Sequence, residues 1–152
     1  LWAPIDALRL TFSGTWLDPK YDSFVGAEGV GGPVDLSGTT PPGIHEFSMN
    51  TSATWNFEIG SLEAFIRGEY IYEDEVPVIE NVPPEVASRE VSMLNASMGI
   101  GFSNGLELMF WGRNLTDDEY LITAFPGVAQ AGTYSGYPNQ PRTYGVTLRA
   151  RF

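Results

Sequence analysis

The last ten residues, Thr143 to Phe152, constrain the fold of this chain more than any other stretch. Apolar side chains take every second position, and Thr, Gly or Arg takes each position between them. Because successive side chains of a β-strand point to opposite sides, this alternation predicts a strand with one apolar face and one polar, charged face. A strand of about 9–11 residues is also long enough to cross a lipid bilayer at a tilt of about 45°. The apolar face comprises Tyr144, Val146, Leu148, Ala150 and Phe152.

The same alternation recurs in five earlier stretches. They are Leu8–Trp16, Phe47–Phe57, Leu62–Glu73, Val91–Phe102 and Leu106–Arg113. Their connections are alternately long and short, and the short Ser103-Asn104-Gly105 contains Asn-Gly, a strong hairpin-turn signal. The long connections, predicted as loops over residues 25–43, 74–88 and 114–140, then fall at one end of an antiparallel sheet. We predict an all-β fold, an antiparallel β-barrel segment of about six strands.

The two faces of these strands differ in charge, and this difference predicts which face meets lipid. One face is apolar at nearly every position, with aromatic residues near the strand ends, as at the rims of membrane barrels. An Arg or Lys at mid-bilayer costs about 2–4 kcal/mol, so the charged face is predicted to line the lumen. The charged residues of that face are Arg9, Glu63, Arg67, Glu69, Glu107, Arg113, Arg149 and Arg151.

Composition excludes several classes of protein. No run of 18 apolar residues is present, so the sequence predicts no transmembrane helix. The absence of Cys excludes disulfides and thiol chemistry, and a net charge of −11 argues against a nucleic-acid partner.

The main alternative is a soluble β-sandwich or β-barrel domain that binds a small ligand or a glycan, with its apolar face turned inward. Long loops gathered at one end argue against that alternative. Transmembrane barrels begin at about eight strands. If the membrane interpretation holds, we therefore expect further strands upstream of Leu1, with this chain a fragment of a longer protein.

Two blocks near the C-terminus resemble one protein family. Trp111 to Tyr120 reads W-G-R-N-L-T-D-D-E-Y, and Pro141 begins P-R-T-Y-G ahead of the aromatic C-terminus. In order and spacing, these blocks resemble the late-strand signature of TonB-dependent outer-membrane receptors. Gly136-Tyr137-Pro138-Asn139 departs slightly, because it lengthens the loop before the second block. The matching residues are Asn114, Leu115, Asp117, Tyr120, Pro141, Arg142, Tyr144, Gly145 and Phe152.

The resemblance implies a 22-stranded barrel closed by an N-terminal plug domain, in the outer membrane of a Gram-negative bacterium. Such receptors import a scarce nutrient: siderophore-bound iron, haem, cobalamin or an oligosaccharide. Residues 1–152 then form the last part of the barrel, with extracellular loops, periplasmic turns and no plug or TonB box. The implied partners are outer-membrane lipid, the TonB–ExbB–ExbD complex through the missing N-terminal part, the barrel-assembly machinery through the C-terminal strand, and the nutrient.

The signature residues are expected to be structural. Asn114 and Asp117 can hydrogen-bond local backbone where a strand leaves the sheet. Gly145 leaves room on the lumen side beside a neighbouring residue, and Arg142 is expected to pair with one acidic residue of 117–119. Four loop aromatics are candidates for contact with a sugar or siderophore. These are Tyr120, Phe125, Tyr134 and Tyr137.

No enzyme, cofactor or metal chemistry is expected. His45 is the only histidine, and we predict an ordinary loop residue there. The acidic runs at 73–75 and 117–119 lack the spacing of a Ca²⁺-binding loop. A third alternative is an outer-membrane enzyme or adhesin barrel, whose strands would show the same alternation. That alternative does not account for the presence of both signature blocks.

Overall fold

The computed structural model describes residues 1–29, 31–80, 82, 87–130 and 132–151, and these form eleven β-strands. Within these ranges, no helix is both long and apolar enough to cross a membrane. The strands are β1 (Trp2–Ile5), β2 (Leu8–Trp16), β3 (Val25–Ala27), β4 (Val34–Asp35), β5 (Phe47–Ile59), β6 (Leu62–Pro77), β7 (Ser88–Gly101), β8 (Leu106–Arg113), β9 (Leu121–Pro126), β10 (Tyr134–Pro138) and β11 (Thr143–Ala150).

Seven strands form one main sheet in the order β1-β2-β5-β6-β7-β8-β11. Every neighbouring pair in this sheet is antiparallel. All six predicted strands belong to it, so the all-β, antiparallel class is confirmed. The described part of the chain gives no pairing between β1 and β11, and the sheet has two open edges.

The predicted number of six strands is wrong, because the chain contains five further short ones. β1 extends the main sheet, and two separate hairpins, β3–β4 and β9–β10, lie within the predicted loops at 25–43 and 114–140. These strands have two to six residues, and β1, β9 and β10 contain proline, so alternation over a longer window does not reveal them.

The third predicted strand also ends later than expected. β6 continues to Pro77, four residues into the predicted acidic loop, after a register shift between Glu73 and Val76. Beyond this irregularity Val76 pairs with Arg89, and its side chain is only 2% exposed. Burial of this apolar side chain accounts for the continued pairing past Asp74 and Glu75.

The long connections all leave one end of the main sheet, which we call the loop end. They join β2 to β5, β6 to β7 and β8 to β11. The short turns lie at the opposite end, as predicted. The turn after β7 closes through a 2.7 Å hydrogen bond from the Phe102 amide to the Leu106 carbonyl, with Gly105 at φ 82°. A positive φ suits glycine, because it has no Cβ to clash with the backbone.

Many large apolar side chains of the main sheet are exposed. On β11, the apolar residues Tyr144, Val146 and Leu148 are 68%, 61% and 69% exposed. The polar-face residues Thr143, Gly145 and Thr147, which alternate with them, are half-buried. The exposed apolar face extends across the sheet and includes Phe12, Trp55, Ile66, Met98 and Phe110.

A small cluster of buried apolar residues lies at the loop end. Val78, Ala87 and Ala124 form its centre, and Ile79, Val82 and Leu121 pack against it. Because Ala124 belongs to β9, this cluster packs the β9–β10 hairpin against the segment that joins β6 to β7. It leaves the apolar face of the main sheet uncovered by any other described part of the chain.

Candidate functional site

Charge is distributed unevenly between the sheet and its long connections. Basic and acidic residues are equal in number outside segments 17–46, 73–90 and 114–142, so the net charge of −11 belongs to these three segments, which comprise the long connections and the adjoining ends of β6 and β7. A ligand that approaches the loop end therefore meets a negative field. The balanced basic residues are Arg9, Arg67, Arg113, Arg149 and Arg151, and the acidic ones are Asp6, Glu58, Glu63, Glu69 and Glu107.

Asn114 organises the corner where β8 leaves the main sheet. Its side chain is 2% exposed, and its backbone is left-handed, with φ 52°. The amide Nδ2 donates to the carbonyls of Asp118 and Gln140, at 2.9 and 3.1 Å. The oxygen Oδ1 accepts from the Asp118 amide at 2.9 Å and from the Thr116 hydroxyl at 3.3 Å. Asn114 therefore bonds the segment after β8 to the segment before β11, and its predicted backbone-bonding role is confirmed.

A second buried asparagine closes the same corner. Asn139 donates through Nδ2 to the Asp118 carbonyl at 2.8 Å, and its Oδ1 accepts from the Tyr120 amide at 3.1 Å. The predicted pairing of Arg142 is also confirmed, since its guanidinium donates to Asp117 Oδ2 at 2.8 Å. Asp117 itself is left-handed, with φ 59°. Both signature blocks thus meet in one network of hydrogen bonds.

Two glycines let large side chains pack close to the backbone beside this corner. At Gly112, an added Cβ would meet the side chains of Leu115 and Tyr144. At Gly145, an added Cβ would overlap the indole of Trp111, the residue that pairs with it across β8 and β11. The predicted role of Gly145 as the residue that leaves room for a neighbour is confirmed. The indole also donates to the Thr147 hydroxyl at 3.3 Å.

We expect Gly145→Ala to destabilise the chain by about 1–3 kcal/mol, because the new methyl group must displace the Trp111 indole. Gly68→Ala is the matched control, since a Cβ at Gly68 would meet no atom within 4 Å. Denaturant unfolding of both variants under identical conditions measures the difference. Equal stability of the two variants would contradict this role of Gly145.

A compact ionic cluster lies at the loop end of β5, β6 and β7. His45, just before β5, has a side chain 11% exposed and lies 2.8 Å from the Glu73 carboxylate through Nε2. Its Nδ1 lies 2.6 Å from the backbone carbonyl of Asp74. Arg89 Nη2 approaches the same Nε2 at 3.2 Å, and Asp74 Oδ2 accepts from the Phe47 amide at 3.0 Å. We call His45, Glu73, Asp74 and Arg89 the His45 cluster.

Tyr120 lies near the His45 cluster. Its partial burial raises the pKa of the phenol above the ordinary value, and the negative charge of Glu73 raises it further, whereas Arg89 lowers it. A raised phenol pKa keeps the hydroxyl neutral and able to donate at physiological pH. Tyr120 is therefore half-buried beside charged groups, unlike the more exposed Tyr137 on β10.

The β9–β10 hairpin carries the other predicted contact residues. Phe125 and Tyr137 form an aromatic pair, with ring centroids 5.7 Å apart, and are 40% and 62% exposed. Tyr134, the first residue of β10, is half-buried. Of the four predicted contact residues, the structure brings Phe125 and Tyr137 together, whereas Tyr120 lies near Glu73 and Arg89 of the His45 cluster.

Two further residues of the sequence analysis, Phe152 and His45, can now be compared with the structure. Phe152, a signature residue, lies outside the described residues. His45 does lie in a connecting segment, but its contacts with Glu73 and Arg89 were not predicted, because these residues come from three separate segments. The only sequence signal was a lone His in an acidic chain. Among the residues that the structure describes, no group of three or more His, Cys, Asp or Glu side chains is arranged to hold a metal ion.

Comparison with protein-family models, with curated proteins and with solved structures found no match to this chain.

Proposed function

We propose that this chain is the C-terminal part of the β-barrel of a TonB-dependent outer-membrane receptor that imports a scarce nutrient. The observation that carries the proposal is the uncovered apolar face of an antiparallel sheet whose long connections all leave one end. Apolar surface of this extent is unfavourable in water, at roughly 25 cal/mol per Å². Lipid is the environment in which that face is stable, and the half-buried polar face then lines the lumen.

The C-terminal corner supports the family assignment within this proposal. The signature residues Asn114 and Asp117 both adopt left-handed backbone, a conformation that Asn and Asp tolerate better than most residues. Arg142 pairs with Asp117 across the two signature blocks. The blocks that resemble the family therefore build one structural unit, and that is a reason for both to occur together in one sequence.

In this proposal, the connecting segments form the extracellular mouth. The Phe125–Tyr137 pair offers an exposed aromatic surface for a sugar ring or a siderophore. The net negative charge of the connecting segments disfavours strongly anionic ligands and favours neutral or cationic ones. The polar face below carries both signs of charge, including a pair between Arg149 and Glu107 at 3.4 Å.

Deletion of the gene, with its full reading frame determined first, tests the proposal. We expect the frame to encode a plug domain and further strands, and the deletion strain to lose uptake of one labelled nutrient among ferric siderophores, haem, cobalamin and oligosaccharides. A strain without TonB should lose the same uptake. Recovery of the protein in the aqueous fraction without detergent would contradict the proposal and support the soluble ligand-binding domain. Unchanged uptake of the whole panel would also contradict it.

A further inference from the structure

The polar face of the main sheet contains a hollow of about 450 Å³, a volume typical of small-molecule sites. At its floor, Ser97 of β7 pairs in register with Arg67 of β6 on one side and with Trp111 of β8 on the other. Because opposed residues of an antiparallel sheet lie on the same face, this short side chain stands between two long ones. We call this space the Ser97 hollow, and its walls include Arg67, Glu69, Asn95, Trp111 and Arg113.

Two arginines border the Ser97 hollow, and they differ in their partners. Arg67 Nη2 lies 3.3 Å from Glu69 Oε1, and its Nη1 donates to the Thr54 hydroxyl at 3.2 Å. The guanidinium of Arg113 lies over the ring of Trp111, 5.3 Å from its centroid, and it forms no ion pair with any residue that the structure describes. The hollow therefore keeps one positive charge without a carboxylate partner.

A shortage of carboxylates does not explain why Arg113 lacks one. The chain has a net charge of −11, and the neighbouring Arg142 pairs with Asp117 at 2.8 Å. Arg113 instead contacts Trp111, whose indole is held by a hydrogen bond to the Thr147 hydroxyl at 3.3 Å. A guanidinium that stacks on an aromatic ring keeps its N–H donors free at its edge. Arg113 is thus positioned to bind an acceptor that this part of the chain does not supply.

The floor of the Ser97 hollow offers both donors and acceptors. Among the described residues, the Ser97 hydroxyl has no hydrogen-bond partner, and a hydroxyl can donate or accept. Glu69 accepts only, and the amide Nδ2 of Asn95 lies at a loose 3.5 Å from it. The indole of Trp111 adds apolar surface beside these groups. A sugar ring presents hydroxyl groups of both kinds along its rim and C–H groups on its faces, so it fits this combination.

We propose that the Ser97 hollow binds the acidic unit of an oligosaccharide that carries one carboxylate, such as a uronic acid. The paired N–H groups of Arg113 bind the two carboxylate oxygens, and Ser97, Asn95 and Glu69 bind the ring hydroxyls. One carboxylate balances the one excess positive charge of the hollow. The negative connecting segments oppose ligands of higher negative charge, such as phosphorylated sugars.

This inference rests on the proposed function and deepens it, because it names the class of nutrient that the receptor imports. Binding is measured without transport, so the two proposals can fail separately. Loss of haem or siderophore uptake in the deletion strain, with no binding of a uronate, would overturn this inference and leave the receptor assignment in place. Uronate binding by a protein whose deletion changes no uptake would support the Ser97 hollow and contradict the receptor.

Isothermal titration calorimetry of the full-length protein in detergent micelles tests the inference. The probes are disaccharides that end in glucuronate or galacturonate, their neutral counterparts that end in glucose or galactose, and acetate. We expect at least one uronate disaccharide to bind about tenfold more tightly than its neutral counterpart, because only the uronate forms the charged pair with Arg113. Acetate should bind more weakly than that uronate, because it lacks the hydroxyl groups.

Two variants connect this preference to the Ser97 hollow. Arg113→Gln should bring the affinity for the uronate to within about twofold of the affinity for the neutral sugar. Ser97→Leu fills the floor of the hollow, so it should weaken binding of the uronate by at least about tenfold. Arg9→Gln is the matched control, because Arg9 is an exposed arginine of the same face that does not line the hollow, and it should keep the wild-type preference.

Equal affinities for each uronate and its neutral counterpart, or no binding of either uronate, would overturn the inference. So would acetate that binds as tightly as the uronates, since the site would then recognise a simple anion. An Arg113→Gln variant that keeps the preference would overturn it as well. If circular dichroism shows that Arg113→Gln does not fold, Ser97→Leu decides, and unchanged binding of the uronate by that variant overturns the inference.

Discussion

Asn114→Ala is expected to lower the free energy of unfolding by about 3 kcal/mol. The alanine removes four side-chain hydrogen bonds from a residue that is 2% exposed. It also places a less tolerant residue in left-handed backbone, which costs about 1 kcal/mol. The carbonyl of Gln140 and the amide of Asp118 lose their partner at this buried corner, and such unmade bonds account for most of the loss.

Denaturant unfolding in lipid vesicles measures this loss, with Asn56→Ala as the matched control. Asn56 is exposed on β5, so its replacement should change stability by less than about 0.5 kcal/mol. Asn114→Gly separates the two contributions, because glycine accepts left-handed backbone and loses only the hydrogen bonds. A loss below about 1 kcal/mol in Asn114→Ala would contradict the organising role of this residue.

In the proposed membrane barrel, Val146→Arg is expected to impair insertion of the chain, at a cost of about 2–4 kcal/mol near mid-bilayer. Val146 is 61% exposed on the apolar face of β11, so in lipid the guanidinium would have to enter hydrocarbon. The neighbouring change Thr147→Arg places the same charge on the polar face. It should cost less than Val146→Arg, because that face already carries Arg149 paired with Glu107 and the only bond lost is the one from the Trp111 indole to the Thr147 hydroxyl.

The ratio of folded to unfolded chain in vesicles compares these two variants directly. In a soluble domain with this same exposed face, Val146→Arg would place charge in water and leave stability nearly unchanged. Equal stabilities of Val146→Arg and Thr147→Arg would therefore contradict a lipid-facing side for Val146.

The long strands were predictable because their faces differ and their period is two. β2, β8 and β11 begin at their predicted residues, since a one-residue shift of register would exchange their apolar and polar faces. The β9–β10 hairpin was not predictable, because Pro126, Gly136 and Pro138 interrupt any alternation. Its pairing depends on packing of Ala124 against the segment after β6, which no local pattern reveals.

Some contacts of the candidate site could be predicted from the sequence, and others could not. Asn114, Arg142 and Gly145 were predictable in role, because each acts on neighbours that the signature blocks themselves supply. The His45 cluster was not predictable, since His45 and Arg89 are separated by 44 positions and meet only through the register of β5, β6 and β7. Contacts between distant segments follow from strand pairing and not from local composition.

A nitroxide scan of β11 in lipid vesicles tests most directly whether the apolar face of the main sheet meets lipid. Single-cysteine labels at residues 143, 144 and 146–150 are read for collision with oxygen, which concentrates in lipid, and with a water-soluble nickel chelate. We predict that oxygen collisions peak at Tyr144, Val146 and Leu148, and that nickel collisions peak at the positions between them. Nickel collisions at Tyr144, Val146 and Leu148, or protection of these positions from both reagents, would contradict a lipid-facing sheet.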